Sequence, residues 1–323
     1  MAHPWRALRR RILTPGASAT RLEIRGFHRK DEAAKTLLET IGKTFLQGYS
    51  YAAEARIPQD AEAPLERVPT RFRGFAYEGA AMGFAVRDGL PGPRRGLVDG
   101  FLRGRADAHV YMAYVGVGWA MARLPRFRWS RLSAPDPLLR WLVLDGYGFH
   151  QAYFHTRRYV REQYREPNFR WPADGPSWYA DRVIDQGIGR AMWFVGGADA
   201  HQVAGLLDAF PESRRADLYS GAGLAATYAG GADETELTWF WRHAGRYQPQ
   251  LAQGSAFAAG ARVRAGLVVP HVELATEVFC GMTAAKAQAV TEASLPDPTA
   301  SGPEPAYEVW RTRIADELAA VRG

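Results

Sequence analysis

Apolar residues recur along most of this chain at spacings of three and four, the pattern of helices with one buried face, and no stretch alternates as a strand would. Asp31 opens the first such segment, which carries Leu37, Leu38, Ile41, Phe45 and Leu46 on its apolar side; Asp31 and Glu32 suit the positive end of the helix dipole. The same period returns over about 74–87, 107–123, 136–160, 180–196, 199–210, 216–229, 234–243, 248–264, 270–292 and 304–321. Links bearing proline or glycine separate these segments, for example Leu90-Pro91-Gly92-Pro93, Pro135-Asp136-Pro137 and 167–176. The predicted class is all-α.

The segments also resemble one another across the chain. Ile41-Gly42-Lys43, Phe75-Ala76-Tyr77-Glu78-Gly79-Ala80, Gly116-Val117-Gly118-Trp119-Ala120 and a helix over 138–154 are followed, in the same order, by a second set. That set is Ile188-Gly189-Arg190, Asp217-Leu218-Tyr219-Ser220-Gly221-Ala222, Gly254-Ser255-Ala256-Phe257-Ala258 and a helix over 271–287, at offsets of 147, 142 and 138 residues for the first three. The expectation is a helical bundle built from two sequence-similar halves related by pseudo-twofold symmetry. A basic tail would span 1–27, a first repeat 28–175 and a second 176–323, packed as one globular unit around a shared apolar seam. The copies differ in polarity: the first has Glu78 where the second has Ser220, so the first half is expected to carry the chemistry.

Composition removes several classes. Of 323 residues, 47% are hydrophobic and 23% charged, as in an ordinary globular protein. The net charge of +7 raises the question of a polyanion, but four lysines stand against 37 arginines, a skew of coding composition rather than of selection for phosphate. No nucleic-acid partner is expected. The densest basic stretch, Arg123, Arg126, Arg128 and Arg131 with Phe127 and Trp129, has a mixture that can grip phosphate and stack on bases, yet Pro125 breaks it and it reads as a connecting loop. Cys280 is the only cysteine, which excludes an intrachain disulfide and reads as a small buried hydrophobe. The first residues lack the apolar core of a secretory signal; Trp5, Leu8, Ile12 and Leu13 could form a short surface helix stopped by Pro15, and a loosely ordered tail is expected there. No run of 18 apolar residues exists, so no transmembrane segment is predicted and the cytoplasm is the expected location.

Four residues stand out as candidates for chemistry. Glu78 shares a helix face with Gly74, Ala81, Met82 and Ala85, a lone carboxylate among small apolar neighbours. Desolvation would raise its pKa and let it give or take a proton near neutral pH; the competing reading is a buried ion pair with Arg71, Arg73 or Arg87. Asp145 lies in the apolar run Trp141-Leu142-Val143-Leu144-Asp145-Gly146-Tyr147-Gly148-Phe149-His150, where it could orient a base or hold a cation. His150 could donate a hydrogen bond or act as acid or base, and Tyr77 could help to orient a ligand. His150 and His155 are five apart, about 140° in helical projection, so they do not share a metal-binding face. His28 has Asp31 and Glu32 at ligand spacing, which a helix start explains without a metal.

Three motif likenesses fail on inspection. Ile41-Gly42-Lys43-Thr44 resembles the end of a phosphate-binding loop, but Leu37 stands where its first glycine belongs. Gly187-Ile188-Gly189 has Met192 at the third fingerprint position of a dinucleotide site, and Gly221-Ala222-Gly223 has Ala226 but no preceding strand. Ser255 has Gln253 and Phe257 where a nucleophile elbow needs glycines. No cofactor and no metal are expected.

Taken together, 74–82 (Gly-Phe-Ala-Tyr-Glu-Gly-Ala-Ala-Met), 144–150 (Leu-Asp-Gly-Tyr-Gly-Phe-His), 187–194 (Gly-Ile-Gly-Arg-Ala-Met-Trp-Phe) and Tyr228-Ala229-Gly230-Gly231 resemble domain-of-unknown-function family 1702. Arg9-Arg10-Arg11-Ile12-Leu13-Thr14-Pro15 and Arg25-Gly26-Phe27 fit it too, so the resemblance covers nearly the whole chain. Members of that family are associated with actinobacterial enediyne and related polyketide gene clusters, which implies an accessory role in enediyne-type natural-product biosynthesis. The expectation is a cofactor-free isomerase or cyclase acting on a hydrophobic polyene or polyyne, polyketide-derived, with Glu78 shuttling a proton. Tyr77 and His150 would orient the ligand or assist, and Asp145 would hold His150 or a cation. The alternative is a non-catalytic protein that shields a reactive intermediate or scaffolds other pathway enzymes. A terpene-cyclase-like reading lacks the Asp-Asp-x-x-Asp and Asp-x-Asp-Asp patterns.

Overall fold

The computed structural model describes residues 16–93, 95–167, 169–172, 175–297 and 302–322. Among the described residues the structure is helical with no strand. Helices of nine or more residues are α1 (Glu32–Glu54), α2 (Thr70–Gly89), α3 (Val110–Arg123), α4 (Leu142–Phe154), α5 (Ser177–Val195), α6 (Ala200–Asp208), α7 (Glu212–Ala229), α8 (Glu234–Ala244), α9 (Gln248–Arg264), α10 (Pro270–Cys280), α11 (Ala284–Ala293) and α12 (Ala306–Arg322).

Local chemistry sets several boundaries. Asp31 caps α1 by accepting from the Ala34 N–H at 2.7 Å, and Asp233 caps α8 by accepting from Glu236 N–H at 2.9 Å. Asp136 accepts from the N–H groups of Leu138 and Leu139, which holds a turn there, so α4 starts at Leu142 rather than at 136. The periodic stretch 270–292 is two helices: Gly281 takes φ +71°, ending α10, and Thr283 caps α11.

Packing follows a repeated device. In α3, α4, α5 and α7 a Gly-x-Gly sits mid-helix, and two residues apart on a helix is about 200°, so the pair faces two different neighbours. The first glycine meets the preceding helix. A Cβ at Gly116 would lie 2.2 Å from the carbonyl oxygen of Glu78, at Gly146 2.0 Å from that of Val115, at Gly187 2.0 Å from that of Asp145, and at Gly221 1.9 Å from that of Gln186. The second glycine meets the following helix: Gly118 against Val143, Gly148 against Ile184, Gly189 against Leu218 and Gly223 against Leu251, each within 2.2 Å of the carbonyl. Gly48 of α1 against Ala76, Gly79 of α2 against Phe45 and Gly254 of α9 against Ser220 complete the series. A helix-interior glycine costs about 1 kcal/mol relative to alanine, which these backbone-to-backbone crossings offset. The glycine pairs that look like dinucleotide fingerprints are therefore helix contacts. Gly42 lies outside the series, since a Cβ there would meet Thr20.

The residue just before each first glycine points a side chain inward: Glu78, Val115, Asp145, Gln186, Ser220 and, in α9, Gln253 are all buried. Helices α1 to α5, α7 and α9 thus lie side by side in chain order. The far end returns to the start, where the Phe75 and Tyr228 rings meet at 5.1 Å and Arg262 donates to the carbonyls of Arg71 at 3.0 Å and Tyr228 at 2.6 Å.

The tail expected over 1–27 is folded from residue 17 onward. A 3-10 turn (Ala17–Thr20) and a short helix (Leu22–Arg25) pack with Thr20, Leu22 and Phe27 buried, because the Leu22 N–H finds Glu39 and the His28 N–H finds the Val195 carbonyl. Residues 1–15, with Trp5, Leu8, Ile12, Leu13 and Pro15, lie outside the described residues. The basic stretch after α3 is a 3-10 turn over Arg126–Arg131 in which Trp129 is buried and donates to the Met121 carbonyl at 3.0 Å, so its ring is not free to stack on a base.

Candidate functional site

An apolar cavity with a volume of about 470 Å³ is bounded by α1, α2, α3, α4, α5 and the turn at Ala19 and Thr20. Such a volume is in the range of small-molecule sites, ~300–1,000 Å³. Rings dominate its wall: Phe45 and Phe149 flank Trp119 at 4.5 and 5.1 Å between centroids. Phe75, Tyr153, Phe154 and Phe194 also line it. The polar groups that reach the chamber are few, chiefly Glu78, His150 and Arg190, with Arg123 and His155 at the exposed rim.

Glu78 is 3% exposed and projects from the middle of α2, where Gly79 and Gly83 let α1 close in and Gly116 lets α3 do so. It makes no ion pair among the described residues. Arg73 is bound to Glu66, Arg87 donates to the carbonyls of Ala52 and Ala55, and Arg71 is exposed, so none of the three arginines considered from sequence pairs with it. Burial raises the Glu78 pKa to about 7; the Arg190 charge opposes the rise, Asp145 adds to it, and the Trp119 indole opposes it. That indole lies near enough to favour the carboxylate without reaching full hydrogen-bond geometry.

Arg190 explains why Glu78 is not held charged. Its guanidinium is salt-bridged to Asp145, whose other oxygen accepts from Gln186 Nε2 at 2.8 Å. Asp145, Gln186 and Arg190 are all buried, and Asp145 sits behind the chamber wall, lining a gap of about 40 Å³ on the far side of Arg190. The neutralised pair leaves an unbalanced proton-holding group, Glu78, at the chamber floor. The cation that Asp145 holds is Arg190, not His150.

His150 lines the chamber edge-on to Trp119, with ring centroids 5.5 Å apart. Burial lowers its pKa to about 3, against a small opposing effect from Gln151, whose Oε1 lies 3.3 Å from Nδ1. The ring is neutral near pH 7, a state fitted to hydrogen bonding rather than to proton donation. Tyr77 is placed elsewhere. One residue before Glu78, about 100° around the helix, it donates to Glu66 at 2.6 Å and stacks on His109 at 3.7 Å, away from the chamber. Burial and the Glu66 hydrogen bond push its hydroxyl pKa up.

Sequence reasoning did not pick out Arg190, Trp119 or Arg123 as site residues. The signal for Arg190 was present in its spacing, four residues after Gln186 and so on the same helix face as the inward position of α5. Among the described residues no three His, Cys, Asp or Glu side chains are grouped to hold a metal, and no helix is long and apolar enough to cross a membrane.

No curated protein and no solved structure matches the chain. The family model described as "Protein of unknown function (DUF1702)" matches residues 4–318. With nearly its whole length covered by that model, the chain belongs to the DUF1702 family.

Proposed function

We propose that the chain is a cofactor-free isomerase or cyclase acting on a hydrophobic polyene or polyyne in enediyne-type polyketide biosynthesis, with Glu78 as its proton shuttle. The observation that carries this reading is a buried carboxyl without an ion pair at the floor of an aromatic chamber, where burial pushes its pKa up to about 7. The protonated acid gives its proton to one carbon of a conjugated chain, and the carboxylate removes a proton from another. Double bonds move, or a ring closes, with no net change in atoms or electrons. The rings of Phe45, Trp119 and Phe149 line the chamber, and a ring face turned to a transient cation would stabilise it by about 0.5–2 kcal/mol. His150 positions the ligand, and Asp145 acts through Arg190. The enediyne assignment rests on family association alone. The reading includes a duplication of 28–175 into 176–323, supported by the matching contacts of Glu78 with Gly116 and of Ser220 with Gly254.

A second reading, a non-catalytic protein that shields a reactive intermediate, is favoured by the bridging of Asp145 to Arg190. Deleting the gene in its native cluster, with mass spectrometry of what accumulates, separates the two when Glu78→Gln is used as the complementing copy. An enzyme leaves an apolar unsaturated precursor unconverted with Glu78→Gln as with the deletion. Normal product formation with Glu78→Gln removes the catalytic role and leaves the shielding one.

A further inference from the structure

The rim of the chamber carries positive charge, of which Arg123 is engaged by no described acid. Arg123, at the exposed end of α3, lines the chamber and makes no ion pair among the described residues; its charge reaches both Tyr49 and His150. Tyr153, Phe154 and His155 form a lip, and beyond that lip is an open cleft of about 440 Å³ bordered by Arg25, Arg157 and Arg158. The Arg25 guanidinium lies 5.2 Å over the Phe154 ring, and its Nε is buried without a hydrogen-bond partner.

Acids near this rim are already engaged. Glu162 accepts from Arg157 at 2.8 Å, Glu39 accepts from the Leu22 N–H and faces Lys35, and Glu23 pairs with Arg21. The remaining acid of the chamber, Glu78, is at its floor. The site is therefore cationic at the lip, apolar along the wall and protonatable at the bottom.

We infer that the chamber takes an unsaturated carboxylic acid, its carboxylate held at the rim between Arg123 and Arg25 and its apolar body lying inward toward Glu78. This deepens the reading of the chamber given above and rests on it. The orientation follows from transfer energetics: each buried CH₂ gains about 0.8 kcal/mol, whereas an ionised head group is costly to bury and stays where a guanidinium and water meet it. A head fixed at the rim also sets which carbon of the chain reaches Glu78.

The test uses the full chain and parinaric acid, a fluorescent polyene carboxylate, beside its methyl ester and a phosphate monoester of the matching alcohol. The acid is expected to bind about tenfold more tightly than the methyl ester, the scale of a charged hydrogen bond at a half-exposed site. Arg123→Gln is expected to abolish that preference while leaving the ester's affinity unchanged, Arg25→Gln to reduce it, and added salt to weaken the acid selectively. Equal binding of acid and ester by the unmodified chain overturns the inference, as does a tighter phosphate ester or an Arg123→Gln variant that weakens acid and ester alike. Failure of both acid and ester to bind the folded chain sinks the chamber reading itself.

Discussion

The first and second parts of the molecule use the same helix-crossing device and reach opposite results. Around α2, α3 and α4 it leaves a chamber of about 470 Å³ with Glu78 unpaired; where α7 and α9 meet the other side of α3 and α4 it leaves a gap of about 40 Å³. Several inward groups of the second region are matched to one another. Ser220 donates to Gln253 at 2.7 Å, and Thr227 donates to Ser255 at 2.8 Å. Helix α12 fills the remaining space: Tyr307 and Trp310 pack on Phe257, and Arg311 bridges Asp217 and Glu308. A scaffold of close helices thus does not by itself make a site. A site appears where an inward polar side chain is left without a mate and no later element plugs the space.

The largest test of that contrast is on turnover. Glu78→Gln is expected to lower the rate of product formation by about 10²- to 10⁴-fold, the usual worth of a proton-transferring side chain, while Ser220→Ala at the matching position leaves it unchanged. Removing the plug comes next. Trp310→Ala is expected to cost about 3–5 kcal/mol in urea unfolding by opening a second cavity, without altering ligand binding to the chamber.

The crossings are expected to behave alike on both sides. Gly148→Ala and Gly223→Ala each drive a methyl group into a neighbouring backbone and should cost about 3 kcal/mol or more, whereas Gly205→Ala, with open space around it, should stabilise by at most about 1 kcal/mol. Finally, pH separates the regions. The folded pKa of Glu78, about 7, exceeds its ordinary 4.5, so between these values the folded state keeps a proton that the unfolded state has lost. Stability is full below about pH 4.5 and falls by about 3 kcal/mol as the pH rises through 7, a slope that Glu78→Gln should remove. His150 acts in the opposite sense, costing stability as the pH falls from 6.5 toward 3.

Much of this architecture is legible in the spacing of apolar residues. The long helices follow the 3.6-residue period, and Glu78 stands out because a carboxylate among glycine and alanine has few local partners. What escaped was set by distant contacts. Tyr77 shares a segment with Glu78 but points to another neighbour, and nothing in the local sequence says that Glu66 will meet it. Arg190 and Asp145 are 45 residues apart and find each other through the Gly187 crossing, which no single helix encodes. The short turns at Ala17–Thr20 and Arg126–Arg131 have too few residues to display a period. The glycines were visible, but their pairing across successive helices shows only when each is matched to the carbonyl that it covers.

Because those crossings join main chain to main chain, the frame is indifferent to the identity of the side chains that point between the helices. An inward position such as 78, which no buried ion pair depends on, can be rewritten while its own carbonyl goes on supporting the next helix in the row. Sequence drift inside the chamber is thereby uncoupled from upkeep of its walls, and one backbone is compatible with chambers of different shape.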